Sequence, residues 1–494
     1  MSGSDRGPDA GAPPASGSRS VPARVLRVLL AAAGALLVAA LLAEAAMRLQ
    51  ESDPGPLFAR EQGRVRLAPG HEAFVPVDVG QVADRLRIAW VGASTVAGVP
   101  YEPRLSPPRW LGLLLARRGV QAEVVTIAAP GLDAGGMRHI LPEVLALHPD
   151  ALVVATGHNE YLAATQLLRE RWWDELRLPR LVERWSGHAE PEDETLPTPA
   201  HGFDRAAITA RFRADIHAMQ ALADGAGVPL LLCAEVSNLA DFPPVLGEDW
   251  AAEEDADTAY ARGQSLLEAG DAAGALAALQ RARDLDGWPH RASTELNDAV
   301  AAEARHFVAL DRLFAEQSAR GVPGFDLFAD HCHPTPAGQR LMALGVADAL
   351  EDLNLYPLTG RRGTAPPLEE GLTLFGADEI MFARADAQVG RAFTGFALMR
   401  GTPGPLAETA RRILQGALAA ADNRAGEAYS SLALLDLLDG DRLGARDRID
   451  ACRLQSEDAI EHLQHLYDSY PWVRAVFDRN GVRLRRGVLR VIVP

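Results

Sequence analysis

Cysteine is scarce in this chain. Cys233, Cys332 and Cys452 are the three in 494 residues, too few and too scattered for a disulfide framework, and no Cys-x-x-Cys pair offers a zinc ribbon. Stability has to come from ordinary packing. Aromatic residues make up only 6% of the chain, and the Ala-rich stretches that take their place favour helix over strand. Positive charge is in the minority, with 49 basic against 66 acidic residues and a formal charge of −17. A general phosphate-backbone binder needs a basic face, so nucleic acid is excluded as the expected partner. No motif asks for a cofactor or a metal ion.

What is present begins with length. At 494 residues the chain exceeds one ordinary domain, and two or three folded parts are expected. Residues 1–24 are mostly Gly, Ser, Pro, Asp and Ala at their start and read as a disordered cytoplasmic tail. From Val28 to Ala43 there is no charge, and apolar character resumes after Glu44 as far as Met47. This gives about the twenty residues that a bilayer of roughly 30 Å requires, so residues 25–47 are expected to form a transmembrane signal anchor. Arg19, Arg24 and Arg27 precede the run, and Glu44, Arg48, Glu51 and Asp53 follow it. The positive-inside bias then places the N-terminus in the cytoplasm and the body outside, periplasmic in a Gram-negative cell. Two other readings compete: a cleaved signal peptide, because Ala43-Glu44-Ala45 has the small-x-small form, and a buried core helix. Residues 48–84 read as a linker.

Beyond the linker, short β-rich runs alternate with longer helical patterns: 86–91, 123–127, 151–155, 228–234 and 306–310. Each run is mostly continuous rather than alternating, as expected of parallel strands covered on both faces. The predicted architecture is α/β, a three-layer sandwich around a parallel sheet over 85–358. An insertion at about 255–290 interrupts it. There Gly263, Leu266, Gly270, Ala275, Leu279 and Ala282 fall at the small and apolar positions of a helical hairpin, and the segment resembles one tetratricopeptide repeat. A plain Ala-rich hairpin is the simpler reading. From 367 to 494 a mainly helical domain is expected, in which Gly440-Asp441, Ala445 and Cys452 are spaced like Gly270-Asp271, Ala275 and Ala282. It reads either as a surface for docking a protein partner or as a cap over the α/β domain. The last run, 482–493, has the pattern of a strand.

The chemistry-bearing blocks lie where the predicted strands end. Gly92-Ala93-Ser94-Thr95-Val96-Ala97-Gly98 follows the first strand and precedes a helical pattern, which puts Ser94 at the carboxyl edge where open α/β sheets build their sites. Alone this is a weak signal, since a serine N-cap in a turn looks the same. Ala129-Pro130-Gly131 follows the second strand, Gly157-His158-Asn159-Glu160 the third, and Asp330-His331-Cys332-His333-Pro334 comes near the end of the domain.

Over 86–353 these blocks resemble the SGNH hydrolase superfamily, the GDSL-type esterases and lipases, in which Ser, Gly, Asn and His appear in that order. The resemblance implies a flavodoxin-like fold with Ser94 as nucleophile, His333 as general base and Asp330 as its orienting acid. It also implies an oxyanion hole from the backbone N–H groups of Ser94 and Gly131 and the side-chain amide of Asn159. Two positions depart from the pattern: Ala93 stands where the family has Asp, and the third block ends in Glu160 rather than Asp.

Other readings of the last block are open at this level. Asp330, His331, Cys332 and His333 are all potential metal ligands, although neighbours on one loop rarely converge on one ion. His331 is an alternative base, and Cys332 an alternative nucleophile with nothing to mark it. Trp172-Trp173 reads as packing or a pocket wall, and Arg291 with Asn297 as re-entry into the fold after the insertion. The expected function is a membrane-anchored, extracytoplasmic serine ester hydrolase working through an acyl-Ser94 intermediate, on an acetylated envelope glycan or lipid. The alternatives are an O-acetyltransferase with the same triad and a non-catalytic scaffold that binds a protein through its helical repeats.

Overall fold

Five parallel strands carry the site. The computed structural model describes residues 55–80, 85–162, 204–246, 254–355, 366–421, 426–485 and 487–491, all within one compact unit. The expected anchor at 25–47 and Trp172-Trp173 lie outside the described residues. Among the described residues no helix is long and apolar enough to cross a membrane.

The stretch expected as a linker instead carries a small antiparallel sheet, β1 (Phe58–Glu61), β2 (Arg64–Leu67) and β3 (Asp78–Gly80). Its strands are only three or four residues long and half exposed, so no apolar run announces them. The available signal is the loop between β1 and β2, where Gln62 and Gly63 both take positive φ, at 49° and 75°. A two-residue turn of that shape matches the natural twist of a hairpin. Leu57, Val77 and Val79 then bury against the main core.

The central sheet is built from β4 (Leu86–Gly92), β5 (Ala122–Ala128), β6 (Ala151–Ala155), β7 (Leu230–Cys233) and β8 (His306–Val308). These are the five runs anticipated from the sequence. All pairings are parallel and the spatial order is β5-β4-β6-β7-β8. Counted from β4, that is the 2-1-3-4-5 order of flavodoxin-like sheets, with the topological switch point between β4 and β6. Alternate side chains of each strand enter opposite cores. Ala89 and Val91 of β4 face one layer, with Met137, Phe212 and Ile216, while Ile88 and Trp90 face the other, with Leu111, Phe314 and Val346.

The helices of the α/β part are α1 (Ser94–Ala97), α2 (Pro107–Arg117), α3 (Ala134–Leu145), α4 (Arg205–Ala226), the inserted pair α5 (Ala256–Glu268) and α6 (Ala272–Asp284), then α7 (Thr294–Glu303), α8 (Leu310–Gln317) and α9 (Pro336–Asp352). The insertion is a helical hairpin. Gly270 turns at φ 80°, Asp271 caps α6 by accepting from Gly274 N, and Gly263 leaves room for Leu279 of the facing helix.

The C-terminal part comprises α10 (Leu368–Leu374), α11 (Glu379–Arg400), α12 (Pro405–Ala420), α13 (Gly426–Leu438), α14 (Arg442–Gln455), α15 (Glu457–Ser469) and α16 (Pro471–Arg479). It ends in a hairpin of β9 (Val482–Arg485) and β10 (Val488–Val491), so the last run is two short strands. Between α13 and α14 the turn chemistry of the insertion recurs: Gly440 at φ 85°, then Asp441 accepting from Gly444 N. Phe242 and Val245, from the loop after β7, are part of the same core as Phe393, Leu414, Leu435 and Phe477. The helical part therefore packs directly on the α/β part.

Candidate active site

Ser94 sits at the switch point because β4 ends there. A side chain at Gly92 would collide with Val96, so the chain can double back from strand to helix only with glycine at that position. Ala93 caps α1 without any side-chain bond and is buried, whereas Ser94 keeps partial access. Gly98, at φ 93°, closes α1 in the left-handed conformation that glycine adopts without strain. The N–H groups of Gly98 and Val99 both donate to Ser94 O at 3.1 Å, which fixes the serine backbone.

His333 reaches Ser94 from the other end of the domain. Its Nε2 lies 2.8 Å from Ser94 Oγ and its Nδ1 lies 2.6 Å from Asp330 Oδ2. The loop that carries both groups is closed on itself, with Ala329 N donating to His333 O at 2.8 Å and Thr335 N to Leu327 O at 2.9 Å. Asp330 Oδ1 also accepts from Cys332 N at 3.0 Å and His333 N at 2.8 Å. From outside the loop, Asn238 N donates to His331 O at 2.9 Å and Asn238 Nδ2 to Asp330 O at 3.1 Å. Arg291 Nη1 in turn holds the Asn238 carbonyl at 2.9 Å. Nothing in the sequence marks Asn238, a lone Asn after a strand. Arg291 is buried with Asp286 3.6 Å away, and Asn297 clamps the backbone of Glu235 in both directions.

The electrostatics follow from this geometry. Burial works to raise the Asp330 carboxyl, but the charges of His333 and His331 and the hydrogen bonds from His333 outweigh it, and Asp330 is held well below the usual range. Burial works against the His333 imidazolium, yet Asp330 beside it holds the ring well above the ordinary histidine value. His331 differs. Burial pushes it down to about 3, and its ring packs against Phe242 and Phe396 rather than toward Ser94. The structure thus brings His333, not His331, to the serine. Burial likewise raises the Cys332 thiol, disfavouring the thiolate that a nucleophile or ligand requires. Ligand atoms of Asp330, His331, Cys332 and His333 lie within 4.8 Å of one another. Both ring nitrogens of His333 are already engaged, however, so the cluster is arranged to pass a proton rather than to hold an ion.

The expected oxyanion donors gather on the same edge. Asn159, just beyond β6, donates through Nδ2 to Leu132 O at 3.0 Å, which ties it to the loop containing Gly131. Gly131 takes φ 82°, a conformation that turns the loop at Pro130-Gly131. Among the described residues the N–H groups of Ser94 and Gly131 make no hydrogen bond, so both are free to meet a ligand. Glu160 is fully buried and accepts from Ala134 N, at the start of α3, at 2.9 Å. Burial pushes its carboxyl up to about 7 despite that bond. The longer side chain thus serves as a brace between β6 and α3. A hydroxyl nucleophile, a base that touches it, an acid behind the base and free donors nearby together suit attack on a carbonyl carbon. The cavity of about 540 Å³ lined by Arg60, Arg64, Arg87 and His148 lies at the opposite, amino-terminal edge of the sheet and takes no part in this.

No protein-family model and no curated protein matches the sequence. Among solved structures the chain is similar to TesA, with 16% identity, a TM-score of 0.28 and coverage of 54% of this chain and 99% of that one. It is similar to a GDSL-like lipase from Bacteroides thetaiotaomicron, with 14% identity, a TM-score of 0.28 and coverage of 54% and 89%. It is also similar to a psychrotrophic esterase, EstA, from Pseudoalteromonas sp., with 10% identity, a TM-score of 0.29 and coverage of 54% and 98%. At such identities and scores the likeness decides neither fold nor chemistry, which rest on this chain's own residues.

Proposed function

We propose that this chain is a serine ester hydrolase of the SGNH type, with Ser94, His333 and Asp330 as its triad. The observation that carries the reading is the unbroken line of contacts from Asp330 Oδ2 to His333 Nδ1 at 2.6 Å and from His333 Nε2 to Ser94 Oγ at 2.8 Å. As Ser94 Oγ attacks the ester carbonyl, its proton passes to His333 Nε2, and Asp330 stays ionised to stabilise the imidazolium. The oxyanion forms beside Ser94 N, Gly131 N and Asn159 Nδ2. His333 then returns the proton to the departing alcohol oxygen, leaving acyl-Ser94. Water attacks that acyl group with His333 again as base, which releases the carboxylic acid and restores the serine.

The body is assigned to the extracytoplasmic side, behind an anchor at 25–47, on the strength of Arg19, Arg24 and Arg27 before the apolar run and the acidic residues after it. Acetylated glycans or lipids of the envelope are then the accessible esters. Labelling with a fluorophosphonate probe, read by intact mass and peptide mapping, tests the nucleophile. Modification at Ser94 that is lost in His333→Ala supports the reading, and a probe found on another serine refutes it.

A further inference from the structure

One helix of the C-terminal part contacts two segments that neighbour the triad residues in sequence, at Tyr101 and at His331. Phe382, Asp386, Val389, Phe393 and Phe396 of α11 follow one another at steps of four and three residues, so they share a face. At one end Phe382 meets Tyr101 edge to face, with ring centroids 5.8 Å apart. Tyr101 belongs to the loop that leaves α1, seven residues past Ser94. At the other end Phe396 stacks on His290 at 4.7 Å and lies 5.3 Å from His331, two residues before His333. Helical rise separates these ends by about 21 Å. The span is pinned at both ends: Arg104 Nη1 donates to Gly376 O at 2.7 Å and Arg400 Nη1 to Pro244 O at 2.8 Å.

Between these ends the face carries one carboxylate, Asp386. Val389 and Phe393 are buried, but Asp386 is open to solvent. Neither the Asp386 carboxylate nor the Tyr101 hydroxyl has a hydrogen-bond or ion-pair partner among the described residues. The neighbours of Asp386 still desolvate it enough to hold its carboxyl above the ordinary range. The Tyr101 hydroxyl is pushed up by burial first and then by the charges of Asp386 and Asp330.

We propose that α11 forms a wall of the substrate cleft and that Asp386 and Tyr101 are specificity residues that bind the hydroxyl groups of a sugar bearing the acyl group. The proposal rests on the ester-hydrolase reading above. A cationic substrate would be served by the carboxylate alone. An acceptor one helical turn from Phe382, and a donor on the ring that packs against Phe382, instead match sugar hydroxyls, which both give and accept, while the ring of Phe382 offers an apolar surface to the sugar's C–H face.

With the full-length chain, kcat/KM is measured on mono-O-acetylglucose, p-nitrophenyl acetate and acetylcholine. Asp386→Asn and Tyr101→Phe are each predicted to lower the ratio for the sugar ester over p-nitrophenyl acetate by about tenfold, the worth of one such hydrogen bond. A ratio unchanged in both variants overturns the proposal. A fall confined to acetylcholine in Asp386→Asn also overturns it and assigns the cleft to a cation. Ser94-dependent turnover of p-nitrophenyl acetate by the parent distinguishes either result from failure of the esterase reading itself.

Discussion

Asn238 holds Asp330 from outside its own loop. The side chain donates to the Asp330 carbonyl at 3.1 Å while its Oδ1 accepts from Asp241 N at 2.9 Å, and the residue is wholly buried. The segment after β7 thus sets the position of an acid ninety-two residues further along the chain. Asn238→Ala leaves buried polar groups unmatched, and urea unfolding should show a loss of about 1–3 kcal/mol. If the account holds, kcat falls while KM changes little, because the triad and not the binding surface is loosened.

The pH dependence of the rate carries a second prediction. The base must be neutral to accept the serine proton, and Asp330 raises the His333 pKa above the ordinary 6.5. The rate should therefore climb with pH through a limb above 6.5. In Asp330→Asn the attraction of that carboxylate is gone and burial works against the imidazolium with less opposition, so the limb moves to lower pH, while kcat drops by roughly four orders of magnitude. A limb that stays in place would show that Asp330 does not control the base.

Asn159 should act in the transition state. Asn159→Ala is predicted to lower kcat by about one hundred to one thousandfold with KM nearly unchanged, as the loss of one oxyanion donor does. Steady-state kinetics on a simple ester check it.

Glu160 gives a stability prediction with the opposite sign from an ordinary ion-paired acid. Its folded-state pKa is raised, from 4.5 to about 7, because burial favours the neutral form. The unfolded chain ionises first, so this group costs stability progressively as pH rises from about 4.5 through about 7. Thermal melts of Glu160→Gln should lack that component of the decline. Parallel curves for parent and variant would contradict it.

Much of this architecture is legible in the residues, and the reasons are physical. Continuous apolar runs such as Ala151–Ala155 have no other stable use than a strand covered on both faces. Ser94, Asn159 and His333 could be singled out because each block follows a strand or ends the domain in a recognised order. The hairpin turns at Gly270-Asp271 and Gly440-Asp441 also announce themselves, since a left-handed glycine followed by a capping Asp has a local cause. What could not be read depends on long-range packing. The small sheet at 58–80 consists of strands too short to show a period. Asp386 lies in a helix whose composition does not say which face turns to Tyr101, and Asn238 matters only through a loop distant in sequence. Glu160, a departure from the family pattern on paper, is in space a brace between β6 and α3.

The most direct test of the central claim is the rate of p-nitrophenyl acetate hydrolysis by the parent, Ser94→Ala and His333→Ala proteins, compared at equal folded concentration. The account predicts measurable turnover by the parent and losses of at least about a thousandfold in both variants, which remove the nucleophile and its base. Equal rates in all three proteins would contradict it, because Ser94 would then not be the group that attacks the ester.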